Sequence, residues 1–272
     1  AEYARWLLKN PESLMYVSDQ LLIDLLVWYH LAWIGETVRR SDARVKHLQE
    51  KQEMFSLHDR RELLTIMSEL LSGVIGRYRK LAENGQIELS MTPYAHPIMP
   101  LLLDLKSTHE AMPDAPLPHL PEYPGGEDRV RWHIEQGIKS FEHYFGIQPH
   151  GCWPSEGSVS EATVRLLGEY GFHWLASGET VLRNSMALAK QPAGEDKEDC
   201  IHKPYRLVDS QPVTFFRDDG LSDLIGFTYS EWHADDAVAN LVGHLENIAA
   251  ECKDEGNRVV SIILDGENAM EY

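Results

Sequence analysis

The sequence predicts an α/β fold, an incomplete parallel barrel of the (β/α)7 type that is preceded by a helical layer. Residues 1–84 carry apolar side chains at helical spacing and show no strand pattern. From Gln86 onward, short apolar or β-branched runs alternate with helical patterns, which is typical of βαβ units. We therefore expect a helical segment at residues 1–84, packed on a partial barrel formed by residues 85–272.

The individual elements follow from the same periodicities. Helices are predicted within residues 11–36 and 56–84, and the second pattern closes on Gly85. The predicted strands lie near residues 86–92, 149–153, 172–177, 212–217 and 259–264, all in one parallel sheet. The predicted helices between them lie near residues 126–145, 158–170 and 233–254. Residues 112–126 hold five prolines and two glycines, which predicts a long loop that is either a substrate wall or a plain connector.

Polar side chains follow each of the five predicted strands. In chain order they are His96, then Glu156, then Ser177 and Glu179, then Arg217 and Asp218, and finally Asp265. In an α/β barrel the carboxyl ends of the strands meet at one mouth, where catalytic groups lie. We therefore expect these side chains to share one end of the sheet.

Two carboxylates that lie 109 residues apart, Glu156 and Asp265, are the candidate catalytic pair. Glycoside hydrolysis needs one carboxylate that attacks the anomeric carbon and a second that protonates the leaving oxygen. Gly151 and Gly157 are expected to leave room for a sugar ring beside Glu156. The residues alone leave alternatives open: Glu156 could be a helix N-terminal carboxylate, and Asp265, followed by Gly266, a turn residue.

The chain resembles glycoside hydrolase family 57, whose members cleave or rearrange α-glucans such as starch and glycogen. The similarity lies in GQIE at residues 85–88 with TPYAHPI at 92–98, WPSE at 153–156, LDGENA at 264–269, and FRDDGLSDLIGF at 216–227, the last being similar to amylopullulanase-like members. The resemblance implies a retaining enzyme with Glu156 as nucleophile and Asp265 as acid/base. The family's opening His-Gln-Pro motif is absent, and the family continues beyond the position of Tyr272. We therefore expect the chain to be the middle part of a larger polypeptide, and activity is expected of the full-length protein.

Five further side chains are candidate substrate-binding residues: His96, Trp153, Arg217, Asp223 and Glu267. His96 could donate a hydrogen bond to a sugar or to the nucleophile, and Trp153 offers a flat ring for stacking on a pyranose. Arg217 and Asp223 are expected to form an ion pair at the mouth. The structural alternatives are a turn histidine, a core tryptophan, a surface arginine and a helix-capping aspartate.

The amino-acid composition indicates which classes of binding partner, compartment and cofactor to expect. The net charge of −18 disfavours nucleic acid and anionic membranes, whereas a neutral polysaccharide is indifferent to it. The apolar stretch at residues 21–34 is too short to cross a membrane. Three widely spaced cysteines favour a reducing compartment, and we expect a cytoplasmic location. The 13 histidines form no metal-binding pattern, so no metal or other cofactor is expected.

The resemblance thus implies a retaining hydrolase acting on α-1,4 bonds of α-glucans, with α-1,6 bonds as an open extension. A 4-α-glucanotransferase or a branching enzyme would use the same two carboxylates with a sugar hydroxyl as acceptor. Two other classes stay open: a non-catalytic glucan-binding module and a protein resembling polysaccharide deacetylases, which requires clustered metal ligands.

Overall fold

A computed structural model describes residues 2–120, 122–188, 201–251, 256 and 258–266. The chain divides into two compact units, residues 1–78 and 79–272, and the division falls within one long helix. None of the helices in these ranges is long and apolar enough to cross a membrane.

The first unit is helical throughout its described part. It contains α1 (Glu2–Lys9), a 3-10 helix (Pro11–Tyr16), α2 (Asp19–Trp33), α3 (Glu36–Ser41), α4 (Ala43–Lys51) and the start of α5 (Leu57–Glu83). Its core is a cluster of buried apolar side chains, most of which lie at helical spacing on α2, α4 and α5, with Ile34 and Phe55 in the adjoining loops: Val27, Leu31, Ile34, Val45, Leu48, Phe55, Leu63 and Ile66.

Helix α5 begins with a capping box. Ser56 precedes the helix, and the amide of Asp59 donates to the Ser56 hydroxyl oxygen at 3.3 Å. The Asp59 carboxylate in turn accepts from the Ser56 amide at 2.6 Å. This reciprocal pair satisfies amide groups that have no partner within the helix. The sequence prediction of a helix over residues 56–84 is therefore met within one residue at each end.

The second unit alternates helices and strands. Its elements are β1 (Ser90–Met91), α6 (Met99–Leu103), a 3-10 helix (Leu105–Ser107), α7 (Thr108–Ala111), α8 (Gly126–Phe145), β2 (Gly151–Cys152), a 3-10 turn (Ser155–Gly157), α9 (Glu161–Glu169), β3 (Trp174–Gly178), α10 (Glu179–Leu188), β4 (Tyr205–Arg206), β5 (Val213–Arg217), α11 (Asp219–Asp223), a π-helical turn (Leu224–Thr228), a 3-10 turn (Tyr229–Glu231) and α12 (Ala234–Glu251). The predicted α/β class is confirmed.

Within the described ranges, five strands form one sheet in the order β1-β2-β3-β5-β4. Strands β1, β2, β3 and β5 are parallel neighbours, with β3 and β5 paired over five residues from Trp174 and Val213 onward. The expectation of an all-parallel sheet is wrong at β4, which pairs antiparallel with the first two residues of β5. A strand of two residues is too short to leave a periodic signal in the sequence.

The predicted fifth strand at residues 259–264 is also corrected. Ser261 makes a single parallel bridge to Arg217, and the segment forms no continuous ladder in the described residues. Residues 259–264 lie along the same edge of β5 as β4, beyond the end of β4. Their other hydrogen bonds go to the loop at His202 and to the side chains of Arg217 and Ser222. The number of strands in a complete barrel stays a prediction.

Successive residues of the strands face opposite sides of the sheet. Cys152 and Leu175 point into the main apolar core, which they share with α8 and α9. Trp174 and Ala176 point to the other side, where they line a cavity. Helix α8 packs directly against β1, because a Cβ at Gly137 would lie 2.6 Å from the Met91 side chain.

Candidate active site

A cavity of about 1010 Å³ lies along the face of the sheet that is turned away from the main core. Its volume is at the upper end of the range of about 300–1,000 Å³ for small-molecule sites. Five of the residues singled out from the sequence line it together: His96, Trp153, Glu156, Arg217 and Asp265. Four of the polar groups that were expected to meet at one end of the sheet, His96, Glu156, Arg217 and Asp265, do line one cavity.

Glu156 occupies a sharp turn directly after β2. Its backbone is left-handed (φ 54°, ψ 22°), and Gly157 follows at φ 65°. A left-handed conformation costs a residue other than glycine about 1–2 kcal/mol, so surrounding contacts must hold it. The buried Ser177 at the end of β3 supplies one, since its hydroxyl donates to the Gly157 carbonyl oxygen at 2.6 Å. The Glu156 side chain is 73% exposed towards the cavity and solvent.

His96 approaches the same carboxylate from the loop after β1. Its Nε2 atom lies 3.8 Å from Oε1 of Glu156, an ion-pair distance when the imidazole is protonated. Ala95 and His96 both have φ 56°, so this loop also contains left-handed residues other than glycine. Backbone strain therefore occurs on both sides of the Glu156 carboxylate, as is common at functional sites.

Trp153 and Trp174 fill the space that two glycines were expected to leave for a sugar. A Cβ at Gly151 would lie 2.1 Å from the Trp174 indole, and one at Gly157 would lie 3.1 Å from the Trp153 ring. The expectation is wrong, since these glycines accommodate the tryptophans, which themselves line the cavity. Trp174 is fixed by a 2.7 Å hydrogen bond from Nε1 to Glu88.

The segment that carries Asp265 is attached to β5 and α11 by three hydrogen bonds. The Asp218 amide donates to the Ser261 carbonyl oxygen at 2.9 Å. Arg217 Nε donates to the Ile263 carbonyl oxygen at 2.9 Å, and the Ile263 amide donates to the buried Ser222 hydroxyl at 3.1 Å. These contacts replace a strand ladder and fix the backbone two residues before Asp265.

Arg217 also forms the ion pair expected with Asp223. Its guanidinium contacts Asp223 at 2.6 Å and Asp219 at 2.7 Å. Partial burial lowers the pKa of Arg217, but the hydrogen bonds that it donates to the Asp223 and Asp219 carboxylates outweigh this effect, so the pKa is raised above its ordinary value. The guanidinium is therefore a permanent positive charge beside the cavity. Asp223 acts through Arg217 and is not among the described residues that line the cavity.

Sequence reasoning missed several supporting residues. His202 Nε2 lies 2.8 Å from the Asp218 carboxylate. The backbone carbonyl oxygen of His202 accepts a hydrogen bond from the Val259 amide at 3.0 Å. Ser222 likewise has no local sequence signal, because its partner is 41 residues away. Glu267, a predicted substrate-binding residue, lies outside the described residues. Across the described ranges no group of three or more His, Cys, Asp or Glu side chains could hold a metal ion.

Comparisons with known proteins agree on one family. The sequence profile of "Glycosyl hydrolase family 57" matches residues 4–272. A 1,4-alpha-glucan branching enzyme from Thermococcus kodakarensis is 22% identical over 129 residues, which is 47% of this chain and 15% of the relative.

Two solved structures share the fold. A family 57 branching enzyme from Thermococcus kodakaraensis, crystallised with glucose, superposes with a TM-score of 0.51 at 15% identity over 89% of this chain and 50% of that chain. A branching enzyme of the same type from Pyrococcus horikoshii gives a TM-score of 0.52 at 15% identity over 90% of this chain and 49% of that chain. The chain thus spans about half the length of these two structures. It belongs to glycosyl hydrolase family 57.

Proposed function

We propose that the protein is a retaining enzyme that acts on α-glucans, with Glu156 as nucleophile and Asp265 as acid/base. The observation that carries the proposal is that both carboxylates line one cavity, although they lie 109 residues apart in the chain. The cavity also offers indole rings, which suit the apolar faces of pyranose rings.

The chemistry would proceed in two steps. The Glu156 carboxylate attacks the anomeric carbon while Asp265 donates its proton to the glycosidic oxygen, so that the leaving glucan departs as an alcohol and a glycosyl-enzyme ester forms. Asp265, now a carboxylate, takes a proton from the acceptor hydroxyl as its oxygen attacks the same carbon and releases Glu156. The anomeric configuration is retained because it is inverted twice.

His96 and Arg217 would support the first step. His96, whose Nε2 atom lies 3.8 Å from Oε1 of Glu156, would hold the nucleophile carboxylate in position. Arg217 holds the backbone that carries Asp265 and keeps a positive charge beside the cavity. We propose His96, Trp153 and Arg217 as substrate-contacting residues, with Asp223 as the partner of Arg217 and Glu267 as a further sugar ligand.

The acceptor decides the reaction. With water the enzyme hydrolyses α-1,4 bonds, and the amylopullulanase-like segment at residues 216–227 favours this outcome with α-1,6 bonds as an extension. With a sugar hydroxyl it transfers glucan chains, as a branching enzyme or a 4-α-glucanotransferase does. The second outcome is a real candidate because the similar proteins described above are branching enzymes.

Incubating the full-length protein with amylose, pullulan and maltoheptaose tests the proposal and separates these outcomes. A rise in reducing ends indicates hydrolysis, whereas new α-1,6 branches at a constant number of reducing ends indicate branching. Asp265→Asn is expected to lower turnover by about 10²–10⁴-fold, the usual contribution of a general acid/base.

Glu156→Ala is expected to abolish turnover, and added azide should restore it with a product of inverted configuration. Glu161→Gln is the matched control, because Glu161 is an exposed carboxylate nearby in the chain that pairs with Arg165. Near-normal turnover in either cavity variant would refute the assignment.

A further inference from the structure

A second aromatic surface lies at the start of helix α8. We call it the α8 aromatic surface and define it by Tyr94, Tyr123 and Trp132, whose exposed fractions are 47%, 42% and 49%. Nearly half of each residue therefore faces solvent, although aromatic side chains of this size are usually well buried. Beside it lies a surface depression of about 490 Å³ lined by Pro124, Gly125, Asp128, Arg129, Trp132 and His133.

The surface is held rigidly. Tyr94 and His133 bind each other twice: the Tyr94 amide donates to the His133 carbonyl oxygen at 3.1 Å, and His133 Nδ1 donates to the Tyr94 carbonyl oxygen at 2.7 Å. The Tyr94 and Trp132 rings meet edge to face with centroids 5.8 Å apart. At the helix start, a Cβ on Gly126 would lie 1.7 Å from the Leu102 carbonyl oxygen, so α8 is seated closely on α6. A preorganised surface loses little entropy when a ligand binds.

The polar groups around these rings suit a neutral ligand. Asp128 and Arg129 are adjacent and carry opposite charges, so they offer an acceptor and donors without a net local charge. The Arg129 guanidinium lies 5.4 Å from the centre of the Tyr123 ring, in cation–π range. The chain's net charge of −18 repels polyanions. A ligand with apolar faces and hydroxyl edges matches this combination, and carbohydrate has that chemistry.

The surface shares a loop with the active cavity. Tyr94 is two residues from His96, which lies 3.8 Å from Glu156. A polymer bound at Tyr94 and Trp132 would therefore be held by the same short loop that carries a cavity residue. Part of the loop at residues 112–126, for which a substrate wall was one interpretation, supplies Tyr123 and Pro124 here.

From these contacts we propose that the α8 aromatic surface is a second glucan-binding site, distinct from the catalytic cavity, that binds neutral α-glucan chains. The identity of the sugar rests on the proposed function. The proposal that a ligand stacks here is supported by the three exposed aromatic rings and by the opposite charges of Asp128 and Arg129 beside them.

Migration in native gels that contain soluble amylose tests the proposal. Trp132→Ala is expected to weaken amylose binding about two- to tenfold, the range for an aromatic contact. Trp132→Phe keeps a flat ring and should retain most of the retardation. Tyr144→Ala is the matched control, since Tyr144 is 53% exposed near the other end of α8 and should bind like the parent protein.

The possible outcomes separate the two proposals. If the parent protein is not retarded, or if Trp132→Ala and Tyr144→Ala are retarded equally, the second site is refuted whatever the catalytic activity. If Trp132→Ala alone loses retardation while the full-length protein turns over no glucan, the second site stands and the proposed function fails. If both hold, Trp132→Ala should raise KM on amylose and leave turnover of maltotriose unchanged.

Discussion

Arg217 Nε donates a hydrogen bond to the carbonyl oxygen of Ile263 at 2.9 Å, across 46 residues of sequence. The amide of the same isoleucine donates to the Ser222 hydroxyl, so both backbone groups two residues before Asp265 are bound to side chains of β5 and α11. The position of the proposed acid/base therefore depends on Arg217, which lines the cavity, and on Ser222, which is buried and is not among the described residues that line it.

Ser222→Ala should lower kcat by about tenfold or more and change KM little. The substitution removes the acceptor of the Ile263 amide, and a small displacement of a catalytic group is costly. Leaving that partly buried donor unpaired also costs about 1–3 kcal/mol of stability. Steady-state kinetics and urea unfolding measure both effects. Ser185→Ala is the control, because Ser185 is exposed and donates only to Val181 within α10. An unchanged kcat in Ser222→Ala would contradict the positioning role.

His96→Ala should reduce kcat/KM by roughly 10- to 100-fold, the effect of losing one hydrogen bond to a charged group. The reason is that His96 Nε2 lies 3.8 Å from the Glu156 carboxylate, and we expect this distance to shorten to a hydrogen bond when substrate binds, as catalytic contacts of unliganded enzymes often do. His143→Gln provides the comparison, since His143 is exposed on α8. Equal kinetics for the two variants would leave His96 with the structural role of a turn residue.

Gly151→Ala should lower the free energy of unfolding by about 1–3 kcal/mol, the usual cost of overpacking. Its new methyl group would lie 2.1 Å from the Trp174 indole, which the bond to Glu88 holds in place. Gly243→Ala tests the opposite sign, because nothing lies within 4 Å of that position on α12 and alanine favours a helix by up to about 1 kcal/mol. Urea denaturation of both variants decides the matter: equal shifts would mean that Trp174 moves freely.

Hydrophobic periodicity and the positions of glycines predicted α5, α8, β3 and β5 well, because both signals are local. Helix α8 begins and ends where the sequence indicated, at Gly126 and Phe145, since glycines flank it on either side. Strands β3 and β5 lie within a residue or two of their predicted bounds. The meeting of Glu156 and Asp265 in one cavity followed from their positions after parallel strands, a rule of topology rather than of local sequence.

The supporting contacts could not be predicted because their partners are distant in the chain. The sequence around Ser222 gives no sign of its role, because the hydrogen bond from the Ile263 amide to its hydroxyl forms only in the folded chain. From the sequence, Gly151 is expected to leave room for substrate, but the space beside it is occupied by the side chain of Trp174 on the neighbouring strand. The left-handed backbone of Glu156 also carries no sequence signal, since glutamate rarely adopts it.

The last prediction concerns pH and the first unit. Asp59 is buried, and burial raises the pKa of its carboxyl group, but the hydrogen bonds from Lys51 and Ser56 outweigh it and hold the pKa well below the ordinary 3.8. A folded-state pKa below the unfolded one adds stability that is fully present well above pH 3.8. That stability is lost as the pH falls below this value towards the folded-state pKa.

Asp59→Asn should therefore be less stable than the parent at pH 7 and should lose less stability between about pH 5 and pH 2. Thermal unfolding followed by circular dichroism over this range measures both effects. Asp114→Asn, at an exposed loop position, should follow the parent curve. If Asp59→Asn instead runs parallel to the parent at all pH values, the carboxylate of Asp59 does not couple protonation to folding, and its bonds to Lys51 and Ser56 contribute no pH-dependent stability.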